Sequence, residues 1–205
     1  PSPEGTERPL QQIEPGWLDT QHRMAWWTMA DLWLDGESAN AIAAACDGVS
    51  GTGYACFRDQ GNWSRIRNLG LPVILVLQTG KPRLLVMQGF SGDGLLVGSS
   101  DNMLNISRDA IEKYWLGEYL VAWPQAPDWP PQIRRGQSGT AVDLVMEMAG
   151  YADPAWTGEG VFGPGFESWL MTFQRRNGLR ADGIIGPNTL MAPTITQPRL
   201  IMSKS

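Results

Sequence analysis

Hydrophobic residues recur every three to four positions in the C-terminal third of the chain. This spacing places side chains on one face of an α-helix, where they can pack against a core. Gly178 follows the second of two such stripes and favours a left-handed helix end at that point. The pattern therefore predicts two helices with buried faces, the first carrying Val142, Val145, Met146 and Ala149 and the second Phe166, Trp169, Leu170 and Phe173.

Two six-residue segments that flank the second helix resemble each other. Residues 159–164 and residues 182–187 both contain an acidic residue, a glycine, two apolar residues and a Gly-Pro pair. Proline is favoured at the first position of a helix, and glycine adopts backbone angles that other residues resist. Each segment therefore predicts a turn that leads into a helix.

The first 123 residues combine helical and strand patterns. Helices are predicted from about Gln21 to Leu34 with a cap at Asp19-Thr20, from Ser38 to Ala45, from Trp63 to Asn68 and from Arg108 to Trp115. Valine- and leucine-rich runs predict antiparallel strands at Pro72–Gln78, Arg83–Phe90, Gly94–Gly98 and Glu118–Trp123. Helices combined with an antiparallel sheet indicate the α+β class.

A proline-rich segment divides the chain. Residues 124–131 cannot sustain a helix or an interior strand, because proline lacks the N–H donor and fixes the φ angle. The N-terminal residues are polar and rich in proline, which predicts disorder. We therefore expect a disordered segment in residues 1–9, an α+β domain in 10–123, a linker in 124–131, a small helical domain in 132–193 and a tail in 194–205.

Charge and composition exclude several classes of function. The formal net charge is −5, which argues against a nucleic-acid partner because neutralising phosphates requires clustered Lys and Arg. The chain holds one histidine and two cysteines, too few to complete a four-ligand zinc site, and we expect neither a metal nor a cofactor. No apolar run approaches the length of a membrane span, and the start at Pro1 suggests a segment of a longer chain.

The two cysteines, Cys46 and Cys56, are joined by a glycine-rich stretch. Such a stretch can close into a loop without strain, so we predict a disulfide and hence an oxidising compartment. The alternative is a buried pair of free thiols.

The glycines of residues 132–193 have a recognisable order and spacing. The string runs through Arg135-Gly136, Gly150-Tyr151, the first repeated turn, Phe173-Gln174, Gly178-Leu179 and the second turn with Asn188-Thr189. It resembles the small three-helix peptidoglycan-binding domain of cell-wall hydrolases and envelope proteins. The first turn departs from that pattern, because Phe166 stands where the family commonly has threonine. The alternative is a miniature helical domain whose glycines serve only its turns.

The groups near the two repeated turns are the candidates for contacting peptidoglycan. The Gln174 amide can donate and accept hydrogen bonds, as peptide and N-acetyl groups require. The arginines can pair with a stem-peptide carboxylate, and the second turn lies at a helix start. Alternatively, the turn residues satisfy their own turn and the arginines form a solvated face. The candidate set is Trp156, Gln174, Arg175, Arg176, Asp182 and Asn188.

The order of helices and strands in the first domain resembles the papain-like C39 peptidase fold, and residues 111–117 resemble the segment before its last strand. Its chemistry requires a cysteine at the start of the first helix, a histidine base and an orienting Asp or Asn. Here the helix start reads His22-Arg23-Met24-Ala25, and Arg83 stands about where the base is needed. Arginine cannot act as a base near neutral pH, so we expect no catalytic residue in this domain.

The two domains and their linker together resemble the periplasmic part of the GspA/ExeA family of type II secretion in Gram-negative bacteria. The resemblance implies a single-pass inner-membrane protein with a cytoplasmic ATPase module ahead of this region. It implies a non-enzymatic wall anchor that works with a GspB-like partner and indirectly aids secretin assembly. Homo-oligomerisation is left open. The alternatives are a cysteine peptidase or wall hydrolase with rearranged catalytic groups, and a pure protein–protein scaffold.

Overall fold

The computed structural model describes residues 16–33, 38–125, 130–151, 160–190 and 201–203. The chain divides into two compact units. The first comprises Pro1–Pro127 and Gln197–Ser205, and the second comprises Asp128–Thr196. The mixture of helices and a mainly antiparallel sheet confirms the predicted α+β class.

The first unit is built around one sheet. Its helices are α1 (Trp17–Leu32), α2 (Ala39–Cys46), α3 (Trp63–Leu69) and α4 (Arg108–Glu112). Its strands are β1 (Tyr54–Gln60), β2 (Val73–Thr79), β3 (Lys81–Ser91), β4 (Gly94–Val97), β5 (Leu104–Ser107), β6 (Trp115–Pro124) and β7 (Ile201–Ser203). The strand order is β1-β6-β2-β3-β4-β5 with every neighbour antiparallel, and β7 pairs with β3 in parallel.

Both faces of β2 are buried, which explains its unbroken apolar run. Ile74 and Val76 pack against α1 and α2, whose inward side chains include Ala25, Met29 and Ile42. Side chains alternate along a strand, so the other face carries Val73, Leu75 and Leu77, which are also buried. The core of the first unit therefore lies on both sides of this central strand.

The helix α1 starts one turn earlier than predicted. Its N-cap is Gly16, with φ 83°, and not Asp19-Thr20. The Thr20 hydroxyl donates to the Gly16 carbonyl at 3.0 Å, as a hydroxyl inside a helix does. Met24 and Trp27 are 44% and 45% exposed, whereas the buried residues are Gln21, Ala25, Thr28, Met29 and Ala30.

The predicted disulfide is confirmed. Cys46 at the end of α2 is bonded to Cys56 in β1, and their Cα atoms are 4.8 Å apart. Both residues pack against the core cluster beneath α1 and α2. The bond therefore ties a helix to the edge strand of the sheet.

A charged cluster joins β1, α3 and β6. Arg65 Nε donates to Asp59 Oδ2 at 2.7 Å, and the Tyr119 hydroxyl donates to the same oxygen at 2.9 Å. Burial, aided by the bond to Asp59, raises the pKa of Tyr119 to about 12. Burial alone would raise the pKa of Asp59, but hydrogen bonds from Arg65, the Gln60 N–H and Tyr119 outweigh it and lower that pKa. The cluster therefore holds an ion pair and a neutral phenol at neutral pH.

The second unit contains α5 (Thr140–Met148), α6 (Pro164–Arg176) and the short α7 (Pro187–Leu190). The predicted apolar stripes form its core. The aromatic rings of α6 stack along the helix, with Trp169 5.5 Å from Phe166 and 5.3 Å from Phe173 between ring centres. The buried members of this core are Ile133, Val142, Val145, Met146, Phe162, Phe166, Leu170, Phe173, Ile185 and Leu190.

Candidate functional site

Three copies of one glycine motif, and not two, organise the second unit. A glycine lies directly before each of its helices, at Gly139, Gly163 and Gly186, and another glycine lies three residues ahead of each. The second and third copies are predicted from the sequence, because both end in Gly-Pro. The first copy, residues 136–140, lacks the proline, but the spacing of its glycines carries the same signal.

Backbone hydrogen bonds join the three copies. Ile133 and Ile185 exchange two N–H···O bonds of 2.9 and 2.8 Å, and Phe162 N–H donates to Gln137 O at 2.8 Å. Gly136 N–H in turn donates to Phe162 O at 2.9 Å. The segment from Ile133 to Ser138 thus pairs with both later turns and brings all three helix starts together.

An acidic side chain from one helix packs on the glycine of the next turn. A Cβ atom added to Gly160 would lie 1.9 Å from Asp143 Oδ1, and one added to Gly183 would lie 3.1 Å from Glu167 Cγ. Gly183 also has φ +68°, which side-chain-bearing residues rarely adopt. Both glycines are therefore required by close approach of the preceding helix. Glu167 additionally pairs with Arg135 at 3.2 Å.

The two long helices end in the same way. Gly178 has φ 67°, Leu179 N–H donates to Gln174 O, and Gly178 N–H donates to Arg175 O, which is the Schellman arrangement. Tyr151 N–H donates to Met146 O in the corresponding bond of α5. The predicted left-handed end of α6 at Gly178 is therefore confirmed, and the helix ends on α5 and α6 match.

Gln174 is 1% exposed and belongs to the interior of the second unit. Its Nε2 atom donates to Asp182 Oδ1 at 3.1 Å, to Ile184 O at 2.9 Å and to Thr189 Oγ1 at 3.2 Å. Its Oε1 atom accepts from Gly183 N–H at 3.0 Å. The sequence prediction that Gln174 touches ligand is corrected, because the side chain is buried and both its amide nitrogen and its oxygen are hydrogen-bonded inside the protein.

Asp182 begins the second turn, residues 182–187, which contains the third copy of the glycine motif, and Asn188 directly follows it. Both side chains are exposed. Asp182 Oδ1 accepts from Ile184 N–H at 3.0 Å, the turn-stabilising bond that an aspartate makes two residues ahead. That bond and the one from Gln174 occupy one carboxylate oxygen. Asp182 therefore stabilises its own turn and is also exposed. The two roles that the sequence suggests for it, holding the turn and contacting ligand, are compatible with this position.

The two arginines at the end of α6 are exposed. Arg175 donates to Thr172 Oγ1 at 3.1 Å on its own helix. Arg175 and Arg176 lie in the last turn of α6, at the end where cations interact favourably with the helix dipole. Trp156, the remaining candidate, lies outside the described residues.

The position expected to hold peptidase chemistry contains an ion pair and a histidine. Arg83 Nε donates to Asp19 Oδ1 at 2.7 Å, and His22 Nδ1 accepts from Leu84 N–H at 3.0 Å. Partial burial, with Arg83 and Arg23 nearby, lowers the pKa of His22 although Asp19 opposes the shift. These contacts fasten α1 to the start of β3. Both cysteines of the chain are in the disulfide.

Within residues 16–33, 38–125, 130–151 and 160–190, no group of three or more His, Cys, Asp or Glu side chains is arranged to hold a metal ion. None of the described helices has the length and apolar character needed to cross a membrane.

The second unit, with its glycine turns and three helices, is similar to a known family of small domains. Residues 147–192 match the family model described as "Putative peptidoglycan binding domain".

Most of the chain is similar to two general secretion pathway proteins. It is 26% identical over 166 residues to "Putative general secretion pathway protein A" of Escherichia coli (strain K12), covering 76% of this chain and 32% of that protein. It is 24% identical over 165 residues to "General secretion pathway protein A" of Aeromonas hydrophila, covering 72% of this chain and 28% of that protein. The chain therefore spans a third or less of these curated relatives.

The fold is shared with a solved structure. The periplasmic domain of the EpsAB fusion protein of the Vibrio vulnificus type II secretion system superposes with a TM-score of 0.60 at 20% identity, covering 88% of this chain and 81% of that chain. These findings confirm the resemblance to the GspA/ExeA periplasmic region that the sequence predicts.

Proposed function

We propose that this chain is the wall-binding periplasmic region of a secretion-assembly protein. The observation that carries the proposal is the match of residues 147–192 to the peptidoglycan-binding family, on a unit that is organised by three glycine turns. In the proposed role the second unit holds a single-pass inner-membrane protein against peptidoglycan. This anchoring would work together with a GspB-like partner and would indirectly aid assembly of the secretin.

The proposed ligand surface consists of exposed polar groups. Arg175 and Arg176 would pair with carboxylates of the stem peptide, and Asp182 and Asn188 would accept or donate to its amides. Gln174 is left out of this contact surface because it is buried. Trp156 stays a prediction.

We propose that the first unit is not an enzyme. A thiol peptidase needs a free thiolate and a histidine that can take its proton. Both cysteines of the chain form one disulfide, and Nδ1 of its sole histidine accepts a backbone hydrogen bond. The Asp19–Arg83 ion pair supports a structural role for this position. Incubation with peptidoglycan and with peptide libraries should release no product, and thiol-sensitive cleavage would contradict the proposal.

Co-sedimentation of the whole chain with purified sacculi tests the binding role. The unaltered chain should sediment with sacculi. Arg175→Ala combined with Arg176→Ala should weaken binding at least about tenfold, since each charge-assisted hydrogen bond that is lost is worth on the order of 1.5 kcal/mol. A matched control, Lys81→Ala with Lys113→Ala, removes two exposed charges from the first unit and should bind normally. Failure of the unaltered chain to sediment would overturn the proposal.

A further inference from the structure

The second turn is held from inside by a single amide. The Gln174 side chain contacts Asp182, Gly183, Ile184 and Thr189, which together span the whole turn and the start of α7. Two N–H donors are shared among three acceptors, and the carbonyl oxygen takes a backbone N–H. No other glutamine or asparagine in the described part of the second unit is buried.

The remaining bonds of the turn depend on this arrangement. Thr189 Oγ1 accepts from Gln174 and donates to Ile184 O at 3.2 Å. Asp182 Oδ1 accepts from both Gln174 and Ile184 N–H. Removing the amide would leave Gly183 N–H without this acceptor and Ile184 O without one of its donors, inside a region where unpaired polar groups are costly.

The first helix of the unit shows what the position looks like without an amide. Met146 in α5 stands where Gln174 stands in α6, because each residue supplies the carbonyl that closes the matching helix end. Met146 is buried at 2% and packs in the apolar core. A methionine is therefore compatible with this location in the helix, and the amide of Gln174 is needed for the turn and not for the helix.

We infer that Gln174 is the positioning residue of the ligand surface: it holds the second turn so that Asp182 and Asn188 present their exposed groups to peptidoglycan. The inference rests on the proposed wall-binding function. Gln174 itself touches no ligand. It acts through Asp182, whose first carboxylate oxygen it fixes.

The test compares affinity with stability in the whole chain. The probe is a soluble disaccharide–peptide fragment released from sacculi, titrated well below the Tm. Gln174→Met should weaken binding by about tenfold, equivalent to 1.4 kcal/mol. Val145→Ala is the matched control, because it opens a cavity in the same apolar core and lowers the Tm while it keeps every hydrogen bond of the Gln174 amide. It should bind within about twofold of the unaltered chain, since the polar contacts that hold the second turn are all kept.

A second readout separates positioning from general loss of structure. Hydrogen exchange at the Gly183 and Ile184 amides should become faster in Gln174→Met, while the amide of Ile133, which pairs with Ile185, should change little. If Gln174→Met does not fold, Thr189→Val removes one partner of the amide and should give a smaller loss of affinity in the same direction.

The outcomes are distinguishable. If the unaltered chain binds and Gln174→Met binds equally well, the inference is wrong and the proposed function stands. The inference is also wrong if Val145→Ala loses as much affinity as Gln174→Met. If the unaltered chain binds neither the fragment nor sacculi, the proposed function fails, and the inference fails with it.

Discussion

His22 in α1 forms a hydrogen bond to the start of β3. Its Nδ1 atom accepts from Leu84 N–H, which requires the neutral ring in the tautomer that carries its proton on Nε2. Protonation would place a proton on Nδ1 and break this bond. Burial and the nearby Arg83 lower the pKa of His22 in the folded protein.

The shift has a definite sign for stability. Because the folded-state pKa lies below the unfolded value of about 6.5, the unfolded chain binds more protons in the window between the two values. The contribution of His22 is therefore fully present above pH ~6.5 and is lost as the pH falls through the folded-state pKa. Urea unfolding of the unaltered chain should give a lower unfolding free energy near pH 5.5 than near pH 7.5. These two values lie below and above the range of about 6–7 in which histidine titrates.

The sole histidine of the chain makes the control simple. His22→Gln should flatten the dependence of the unfolding free energy on pH in this range. An unchanged slope in that variant would assign the effect to carboxylates and contradict the role given to His22.

The sequence predicts the location of a residue well where its side chain has a single structural role. The apolar stripe from Phe166 to Phe173 is the core of the second unit, as its spacing predicts. Gln174 follows the same stripe as a polar residue, and a sequence does not show that the turn folds back over it. Trp27 is 45% exposed although it is a large aromatic residue, because α1 packs on the sheet through the face that carries Ala25 and Met29.

At the scale of elements, the disulfide is a link between α2 and β1 that should matter for stability. Reduction, or Cys46→Ala combined with Cys56→Ala, should lower the unfolding free energy by about 2.5 kcal/mol in the chain-entropy model of a short loop. Urea unfolding with and without reductant measures this. The double variant should be insensitive to reductant, and equal stability of oxidised and reduced protein would contradict the prediction.

The strand β7 gives a second prediction for an element. It pairs with β3 at Gly89–Ser91, just beyond Met87, which is the last residue of β3 that pairs with β2. Ending the chain at residue 196 should remove this pairing and speed hydrogen exchange in the Gly89–Ser91 segment. The amides that pair β4 with β5 serve as the internal control and should keep their protection. Unchanged exchange at Gly89–Ser91 would contradict the pairing.

Elements differ in how clearly the sequence announces them. The helix α6 has a Gly-Pro start, an apolar stripe and a glycine end, so the sequence predicts both where it begins and its left-handed end at Gly178. The strand β1 was missed because it lies at the sheet edge, where its side chains are mostly half-buried and do not alternate cleanly. The strand β7 was missed because three residues in a presumed tail carry no pattern of their own.

At the scale of the molecule, the second unit lies in sequence between two strands of the first. The strand β6 precedes it and β7 follows it, so the first unit is completed by the chain on both sides of the second. The two units have separate hydrophobic cores. Separating their functions therefore requires a cut at each end of the second unit, and not a single truncation.

Peptidoglycan binding should reside in residues 128–196 and be lost from the first unit. A fragment of residues 128–196 contains the complete core and all three glycine turns of its unit, so we expect it to fold and to sediment with sacculi, at least weakly. The complementary chain should join residue 127 to residue 197 through a short Gly/Ser linker, because simple truncation would also remove β7. That chain should unfold cooperatively and remain in the supernatant with sacculi. Binding by the first unit alone, with none by residues 128–196, would reverse the assignment and favour the protein–protein scaffold, since the wall contact would then lie outside the module built for it.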